Sequence, residues 1–250
     1  MKQFRKIAFA ALCILGAAGS FAQKIPLATG EWAPYTGAKL AGQGLATEIV
    51  TAAAKAGGVN FEFVFYGDAW LRCENEAKIG TVFATFPYSK TAERGKVYDF
   101  SEPIISGKSK IYYVEGKGKD IAWTTMKDFS AYKFIGMTSY DYVPVFKEYG
   151  IKMDPAPTSE LAFKMLQAGR GDYIIEDELV AMAVIKSVFG TDAGQVKMIK
   201  KSWKEDPYFL MVSKNYPNAK EILAKFNVGL AAIKKDGAYK AILAKYGLSE

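Results

Sequence analysis

The sequence contains no histidine in its 250 residues. This excludes a Ser-His-Asp or Cys-His catalytic centre and any metal site that is built on imidazole ligands. Aspartate, glutamate, lysine and tyrosine could still carry chemistry. The absence therefore favours a binding protein over an enzyme without deciding between them, and we expect neither a metal nor another cofactor.

Cysteine is almost absent as well, since only Cys13 and Cys73 occur. Cys13 falls in an N-terminal segment that we expect to be removed. The single cysteine that remains cannot form an internal disulfide. We therefore predict that Cys73 is a buried small apolar residue rather than a reactive thiol.

The sequence has one long apolar run, from residue 7 to residue 18. Lys2, Arg5 and Lys6 precede the run, and small residues occupy the −3 and −1 positions of a cut after Ala22, a pattern typical of a secretory signal peptide. The run is shorter than the roughly 20 residues that a membrane-spanning helix needs. We predict a signal peptide over residues 1–22, cleavage after Ala22, and an exported, soluble mature chain of about 228 residues.

No block of basic residues occurs, although the formal net charge is +7. Three of the basic residues lie in the predicted signal peptide, so the mature chain carries +4. This excess is spread along the chain and is not clustered with aromatic residues, which argues against nucleic acid as a partner.

The first part of the mature chain alternates between strand and helix patterns. Apolar residues alternate with polar ones in the strands and recur at helical spacing in the helices, with Gly and Pro between them. This order predicts a parallel sheet covered by helices. The predicted strands are 24–29, 59–65 and 81–85, and the predicted helices are 46–56 and 69–78.

The same alternation starts again after an apolar, β-branched segment at 104–114, which we interpret as an extended hinge strand. The second unit has predicted strands at 134–137, 152–153 and 172–176 and predicted helices at 143–149, 158–168 and 178–188. A last strand at 209–212 and helices at 222–233 and 238–246 are expected to return to the first unit. The chain would then cross between the units twice, which suits closure by hinge bending. We predict an α/β protein with lobe 1 at 23–106 plus 204–250 and lobe 2 at 107–203.

Several short motifs occur in an order that resembles one family. Thr91-Ala92-Glu93-Arg94 follows a strand and a polar loop, and Phe100-Ser101-Glu102-Pro103 comes next. Trp32-Ala33-Pro34-Tyr35 follows the first strand, and Glu176-Asp177-Glu178 ends a strand of the second unit. Together these motifs resemble the family 3 extracellular solute-binding proteins, the polar amino-acid-type receptors of bacterial ABC importers. The resemblance implies a type II periplasmic binding protein fold, a monomer in the periplasm, a small polar solute and a membrane permease as partner.

The resemblance also implies a ligand site. In the family, an Arg at the position of Arg94 holds the carboxylate of the ligand, which is expected to be an amino acid or a related carboxylate. The Ser89 hydroxyl would assist, Trp32 would stack on the ligand, and Asp177 would bind its ammonium group, with Glu176 and Glu178 as alternatives. The expected ligand-binding residues are Trp32, Tyr88, Ser89, Arg94, Tyr140 and Asp177, and the further candidates are Glu31, Trp70, Arg72, Tyr142 and Glu176.

Two departures from the family pattern weaken the case for a plain α-amino acid. The stretch 136–142 has aromatic and acidic groups where small hydroxyl residues are common, and Asp141 would repel a carboxylate unless it points away. Pro87 lies in the first-lobe loop and has no N–H to donate. These features indicate an aromatic-rich cleft.

Two other functions remain open at this point. One is a periplasmic dehydratase for cyclic prephenate-like acids on the same fold, for which Glu31, Asp141 or Glu176 could act as general acid or base. The other is a sensor that transmits ligand binding to a membrane receptor. The sequence does not separate sensing from import.

Overall fold

The computed structural model describes residues 24–249, so the predicted signal peptide lies outside the described residues. The first half of the fold contains β1 (Ile25–Thr29), α1 (Leu45–Ala56), β2 (Phe61–Phe65), α2 (Trp70–Ile79), β3 (Ala84–Ser89), α3 (Ala92–Val97) and β4 (Tyr98–Phe100). The second half contains β5 (Ile105–Val114), β6 (Lys133–Gly136), α4 (Val143–Glu148), β7 (Lys152–Pro155), α5 (Ser159–Gln167), β8 (Tyr173–Asp177), α6 (Glu178–Phe189) and β9 (Val196–Met198). The chain then returns through β10 (Lys204–Ser213) to α7 (Ala219–Lys235) and α8 (Ala238–Lys245). The predicted α/β architecture is confirmed.

Each half has its own parallel strands. In the first half β2, β1 and β3 are parallel neighbours, and the C-terminal part of β10 continues the sheet antiparallel to β3. In the second half β7, β6 and β8 are parallel, and β5 lies antiparallel to β8. Ligands of open α/β sheets bind beyond the carboxyl ends of such strands. The residues that follow β1, β3, β6 and β8 are therefore the ones that the fold brings towards a site.

The two strands that connect the halves pair with each other. β5 and β10 are antiparallel from the pair Ile105–Tyr208 to the pair Ser109–Lys204. Both predicted crossings are thus neighbouring strands of one ribbon. A ribbon of this kind can bend and move one half relative to the other.

The C-terminal helices pack on the first half of the fold. Phe226 and Leu230 of α7 are buried in the core of that half. Gly229 lies where α7 approaches α1 most tightly, since a Cβ atom there would be 2.0 Å from the carbonyl oxygen of Ala53. Only glycine permits this approach of the two backbones.

The structure corrects the bounds of β3. The sequence predicts a strand at 81–85 and a loop containing Pro87, because proline interrupts a ladder of hydrogen bonds. The strand instead spans Ala84–Ser89. Pro87 is accommodated because the pairing with β10 is irregular there, with a register shift between Phe209 and Met211. A bulge is one of the places where a strand tolerates proline.

β10 is also longer than the predicted strand at 209–212. Its N-terminal part reads Lys204-Glu205-Asp206-Pro207, which has no strand pattern, yet it pairs with β5. Tertiary pairing in the crossing ribbon therefore overrides the local preference of these residues.

The packing of α2 confirms the prediction for Cys73. The side chain is fully buried, and burial raises the pKa of the thiol to about 12.

Among residues 24–249, no helix is long and apolar enough to cross a membrane.

Candidate functional site

A cleft lies between the two halves, beside the crossing ribbon. Its empty volume is about 550 Å³, including the part that is open to solvent. Both halves contribute side chains, many of them aromatic or charged. The cleft is lined by Trp32, Trp70, Pro87, Tyr88, Ser89, Arg94, Ser109, Ser139, Tyr140, Asp141, Glu176, Asp177 and Tyr208.

Arg94 is held in a fixed position at the start of α3. Thr91 caps this helix, its Oγ1 accepting a hydrogen bond of 3.1 Å from the backbone N–H of Arg94. The guanidinium donates through Nη1 to the Ser89 carbonyl oxygen at 3.1 Å and through Nη2 to Glu74 Oε1 at 3.0 Å. A further bond from Nη2 reaches the Ser139 carbonyl oxygen of the other half at 3.2 Å. Arg94 thus connects the halves, and Glu74 balances its charge.

Packed aromatic rings form much of the wall. Trp32 stacks on Tyr35 with the ring centres 4.6 Å apart and meets Tyr208 edge-on at 5.3 Å. Trp70 meets Tyr88 edge-on at 5.7 Å. Aromatic pairs in these geometries gain about 0.5–1.5 kcal/mol beyond the burial of their area, so these contacts stabilise the wall.

Trp32 also has an unsatisfied polar atom. Its Nε1 is buried and has no hydrogen-bond partner in good geometry among the described residues, although it is close enough to the Tyr140 hydroxyl to influence the pKa of that group. Buried donors are nearly always satisfied in folded proteins. This N–H is therefore a candidate donor to a ligand that displaces the Tyr140 hydroxyl.

Glu176 is the penultimate residue of β8 and has no exposed surface. Its carboxylate accepts hydrogen bonds from the hydroxyls of Ser159 and Tyr140, the latter at 3.3 Å from each oxygen, and from the backbone N–H of Asp177 at 2.8 Å. Among the described residues, no lysine or arginine forms an ion pair with it. Burial raises the pKa of this carboxyl to about 7, because the charged form is poorly solvated there.

Asp177 is the N-cap of α6 and also links the halves. Its Oδ1 accepts a hydrogen bond of 2.9 Å from the N–H of Leu179. Its Oδ2 accepts from the hydroxyls of Tyr35 at 3.2 Å and Tyr208 at 3.0 Å. Burial raises the pKa of this carboxyl too, and in the described part of the chain it has no basic partner.

Asp141 was expected to repel a carboxylate, but it is neutralised. Its Oδ2 accepts a hydrogen bond of 2.8 Å from Lys204 Nζ, and Lys204 also contacts Asp206. Lys204 begins β10, so this ion pair ties the loop after β6 to the crossing ribbon.

The structure brings most of the predicted site residues together. All six of the expected ligand-binding residues line the cleft, as do Trp70 and Glu176 from the further candidates. Of the three acidic alternatives at 176–178, Glu176 and Asp177 line the cleft, whereas Glu178 lines only a second cavity, to which Asp177 also contributes.

Three further candidates lie away from the cleft. Glu31 is exposed and accepts a hydrogen bond of 3.0 Å from the N–H of Ala38. Arg72 is exposed and lies over a neighbouring tyrosine ring. Tyr142 is buried, with its hydroxyl accepting a hydrogen bond of 2.8 Å from the N–H of Met137.

The sequence analysis missed Ser109, Ser139 and Tyr208 as lining residues. Ser109 lies in the predicted hinge strand, so its small polar character was an available signal. Tyr208 lies in the polar N-terminal part of β10, where no local pattern indicates a strand. Ser139 contacts Arg94 through its backbone carbonyl oxygen. Every residue has this group, so the amino-acid sequence gives no signal for such a contact.

The fold and the site define a class of protein. Two α/β halves joined by a ribbon of two crossing strands, with a polar and aromatic cleft between them, are the two-lobed fold of periplasmic binding proteins. A family model for bacterial extracellular solute-binding proteins, family 3, matches residues 27–249. The chain belongs to this family, and the predicted family and fold are confirmed.

Solved structures support the same fold. An ancestral arginine-binding protein bound to glutamine is 27% identical over 89% of this chain and 96% of that chain, with a TM-score of 0.72. A histidine kinase sensor domain with similarity to periplasmic binding proteins is 24% identical over 89% and 95%, with a TM-score of 0.78. An ancestral amino acid-binding protein, a precursor of cyclohexadienyl dehydratase, is 23% identical over 89% and 94%, with a TM-score of 0.70. The last two similarities concern the fold alone. No curated protein sequence matches the chain.

Proposed function

We propose that this protein is the periplasmic receptor of an ABC importer and that it binds a small polar solute with an amino group, such as an amino acid or a related compound. The observation that supports this most directly is the convergence of groups from both halves on one cleft. Trp32 and Arg94 come from the first half, and Tyr140 and Glu176 come from the second. The family of extracellular solute-binding proteins agrees with this use of the cleft.

The chemistry of the wall favours an amino group together with a hydrogen-bond acceptor on the ligand. Glu176 and Asp177 are buried carboxyls without a basic partner among the described residues, and an ammonium group would supply one. Trp32 Nε1 is a buried donor that an oxygen of the ligand would satisfy. A polar solute of this kind would supply a cation for the two carboxyls and an acceptor for the Trp32 N–H.

Closure of the lobes would complete the site. We take lobe 1 as residues 23–106 and 204–250 and lobe 2 as residues 107–203, a division supported by the pairing of β5 with β10. The bonds from Arg94 to Ser139 and from Tyr35 to Asp177 join the two sides. A ligand that contacts both lobes favours the closed state in proportion to its difference in affinity for the two states.

Export to the periplasm is part of the proposal. N-terminal sequencing of periplasmic protein should begin at Gln23, because cleavage is expected after Ala22. Retention of the full chain in carbonate-washed membranes would argue against export as a soluble protein.

The solute can be identified directly. Protein purified without dialysis would be denatured and the released compounds identified by mass spectrometry. The compound would then be titrated by calorimetry into wild type, Glu176→Gln and the control Glu178→Gln, whose side chain lines the other cavity. Loss of a buried charge pair costs on the order of 2–5 kcal/mol, so Glu176→Gln should weaken binding by about thirtyfold or more. Equal affinity of the three proteins would remove Glu176 from the site.

One observation favours a second candidate, a dehydratase-type enzyme on the same fold. Glu176 has a pKa of about 7 and is hydrogen-bonded by Tyr140 and Ser159, so it could deliver a proton near neutral pH. Incubation with a cyclic prephenate-like acid separates the two functions. Recovery of the unchanged compound supports the receptor, and catalytic formation of a dehydrated product supports the enzyme.

A further inference from the structure

We propose that the cleft selects solutes with a net positive charge, binding an amine more tightly than the amino acid with the same side chain, and that Glu74 sets this preference by neutralising Arg94. The inference rests on the proposed function and narrows its ligand class. Glu74 belongs to α2 and does not itself line the cleft.

Several charges at the cleft are already balanced. Arg94 pairs with Glu74 at 3.0 Å, and the lining residue Asp141 pairs with Lys204 at 2.8 Å. Glu176 and Asp177 remain, and within residues 24–249 neither forms an ion pair. An uncompensated buried carboxyl costs several kcal/mol, roughly, unless it is protonated or a cation binds beside it. The charge balance at the cleft therefore favours a cation over an anion.

The hydrogen bonds of the Arg94 guanidinium also disfavour a ligand carboxylate. Both protons of Arg94 Nη2 have acceptors, Glu74 Oε1 and the carbonyl oxygen of Ser139. A two-pronged grip on a carboxylate needs two adjacent free N–H groups. The edge shared by Nη1 and Nη2 no longer offers such a pair. A ligand carboxylate would also approach the negative charge of Glu74, whose side chain is only 21% exposed.

The aromatic residues of the cleft also favour a cation. Trp32, Tyr140 and Tyr208 surround the region in front of the two unpaired carboxyls. Aromatic faces attract ammonium and guanidinium groups, and the attraction increases when water is excluded. The wall and the carboxyls thus favour the same sign of charge.

Matched pairs of compounds test the preference. Wild-type protein would be titrated by calorimetry with arginine and agmatine, lysine and cadaverine, and tyrosine and tyramine. Within the pairs that bind, the amine should bind more tightly by about tenfold or more, since one unfavourable charge contact is removed. Glu74→Gln should reduce or reverse this preference because it removes the negative charge beside Arg94. The control Glu93→Gln removes a neighbouring charge that pairs with Lys96 on the surface, and it should leave the preference unchanged.

The outcomes separate this inference from the proposed function. If an amino acid binds wild type more tightly than its amine, the inference is wrong while the amino-solute receptor stands. If Glu74→Gln keeps the wild-type preference, Glu74 does not set it. If L-malate binds and none of the six compounds does, both the inference and the amino-group requirement are wrong. The wild-type titrations decide the charge preference even if Glu74→Gln does not fold.

Discussion

Glu176 is the residue at which function and stability oppose each other most clearly. It is fully buried and bonded by hydroxyl and N–H groups, and among the described residues it has no basic partner. Its pKa is about 7 in the folded protein, against 4.5 for an ordinary glutamate. A residue kept at such a cost to the unliganded protein is typical of a functional site.

The sign of the pH dependence follows from this raised pKa. Between about pH 4.5 and pH 7 the folded state holds a proton that the unfolded state has lost, so stability is full below this window and falls as the pH rises through it. Glu176→Gln removes the titration. We expect the variant to be more stable than wild type by about 2–3 kcal/mol near pH 8, with a difference that shrinks towards pH 5. Urea unfolding at both pH values measures this, and a difference independent of pH would contradict it.

At the scale of elements, Asp177 has a structural role that is separate from its charge. Its Oδ1 caps α6, and asparagine caps helices about as well as aspartate. The free energy of unfolding of Asp177→Asn should therefore lie within about 0.5 kcal/mol of the wild-type value, whereas that of Asp177→Ala should be lower by about 1–2 kcal/mol. Guanidinium unfolding compares the two variants. Equal losses in both would show that the charge, and not the cap, stabilises the protein.

The contact between α1 and α7 gives a second prediction at this scale. Alanine usually stabilises a helix relative to glycine by up to about 1 kcal/mol. At Gly229 the added methyl would meet the Ala53 carbonyl oxygen at 2.0 Å, so Gly229→Ala should destabilise by about 1–3 kcal/mol or more. Gly95→Ala in α3 is the control, because no atom lies within 4 Å of the added Cβ. A Gly229→Ala variant as stable as the control would contradict the packing of α7 on α1.

At the scale of the whole molecule, we expect the crossing ribbon to control closure of the proposed lobes. Gly107 of β5 lies against the groups that join the halves, since a Cβ there would be 2.4 Å from the Tyr208 ring and 2.5 Å from Asp177 Oδ2. Gly107→Ala should therefore hold the lobes apart and weaken binding of the natural solute by about tenfold or more.

X-ray scattering measures this effect on shape. Saturating solute should reduce the radius of gyration of wild type and of the control Gly194→Ala, whose added methyl meets no atom within 4 Å. The same solute should leave Gly107→Ala close to its unliganded size. Equal compaction of all three proteins would show that Gly107 does not control closure.

The sequence by itself determined the α/β alternation, the second unit, the two crossings and the burial of Cys73. These features depend on the period of apolar residues, on Gly and Pro between elements and on composition, all of which are local. The resemblance to the family also pointed to most of the residues that line the candidate cleft. The motif order was enough to indicate the family that the comparison confirmed.

Only the tertiary structure decided how the site residues are paired. Glu74 neutralises Arg94 from 20 positions away, and Asp177 meets Tyr35 and Tyr208 from other parts of the chain. The polar start of β10 becomes a strand because β5 lies beside it. Such contacts join elements that are distant in sequence. Local propensity and the periodicity of apolar residues do not predict which of these elements meet. The physical reason is that charge balance in a buried cleft depends on which groups meet, and only folding decides that.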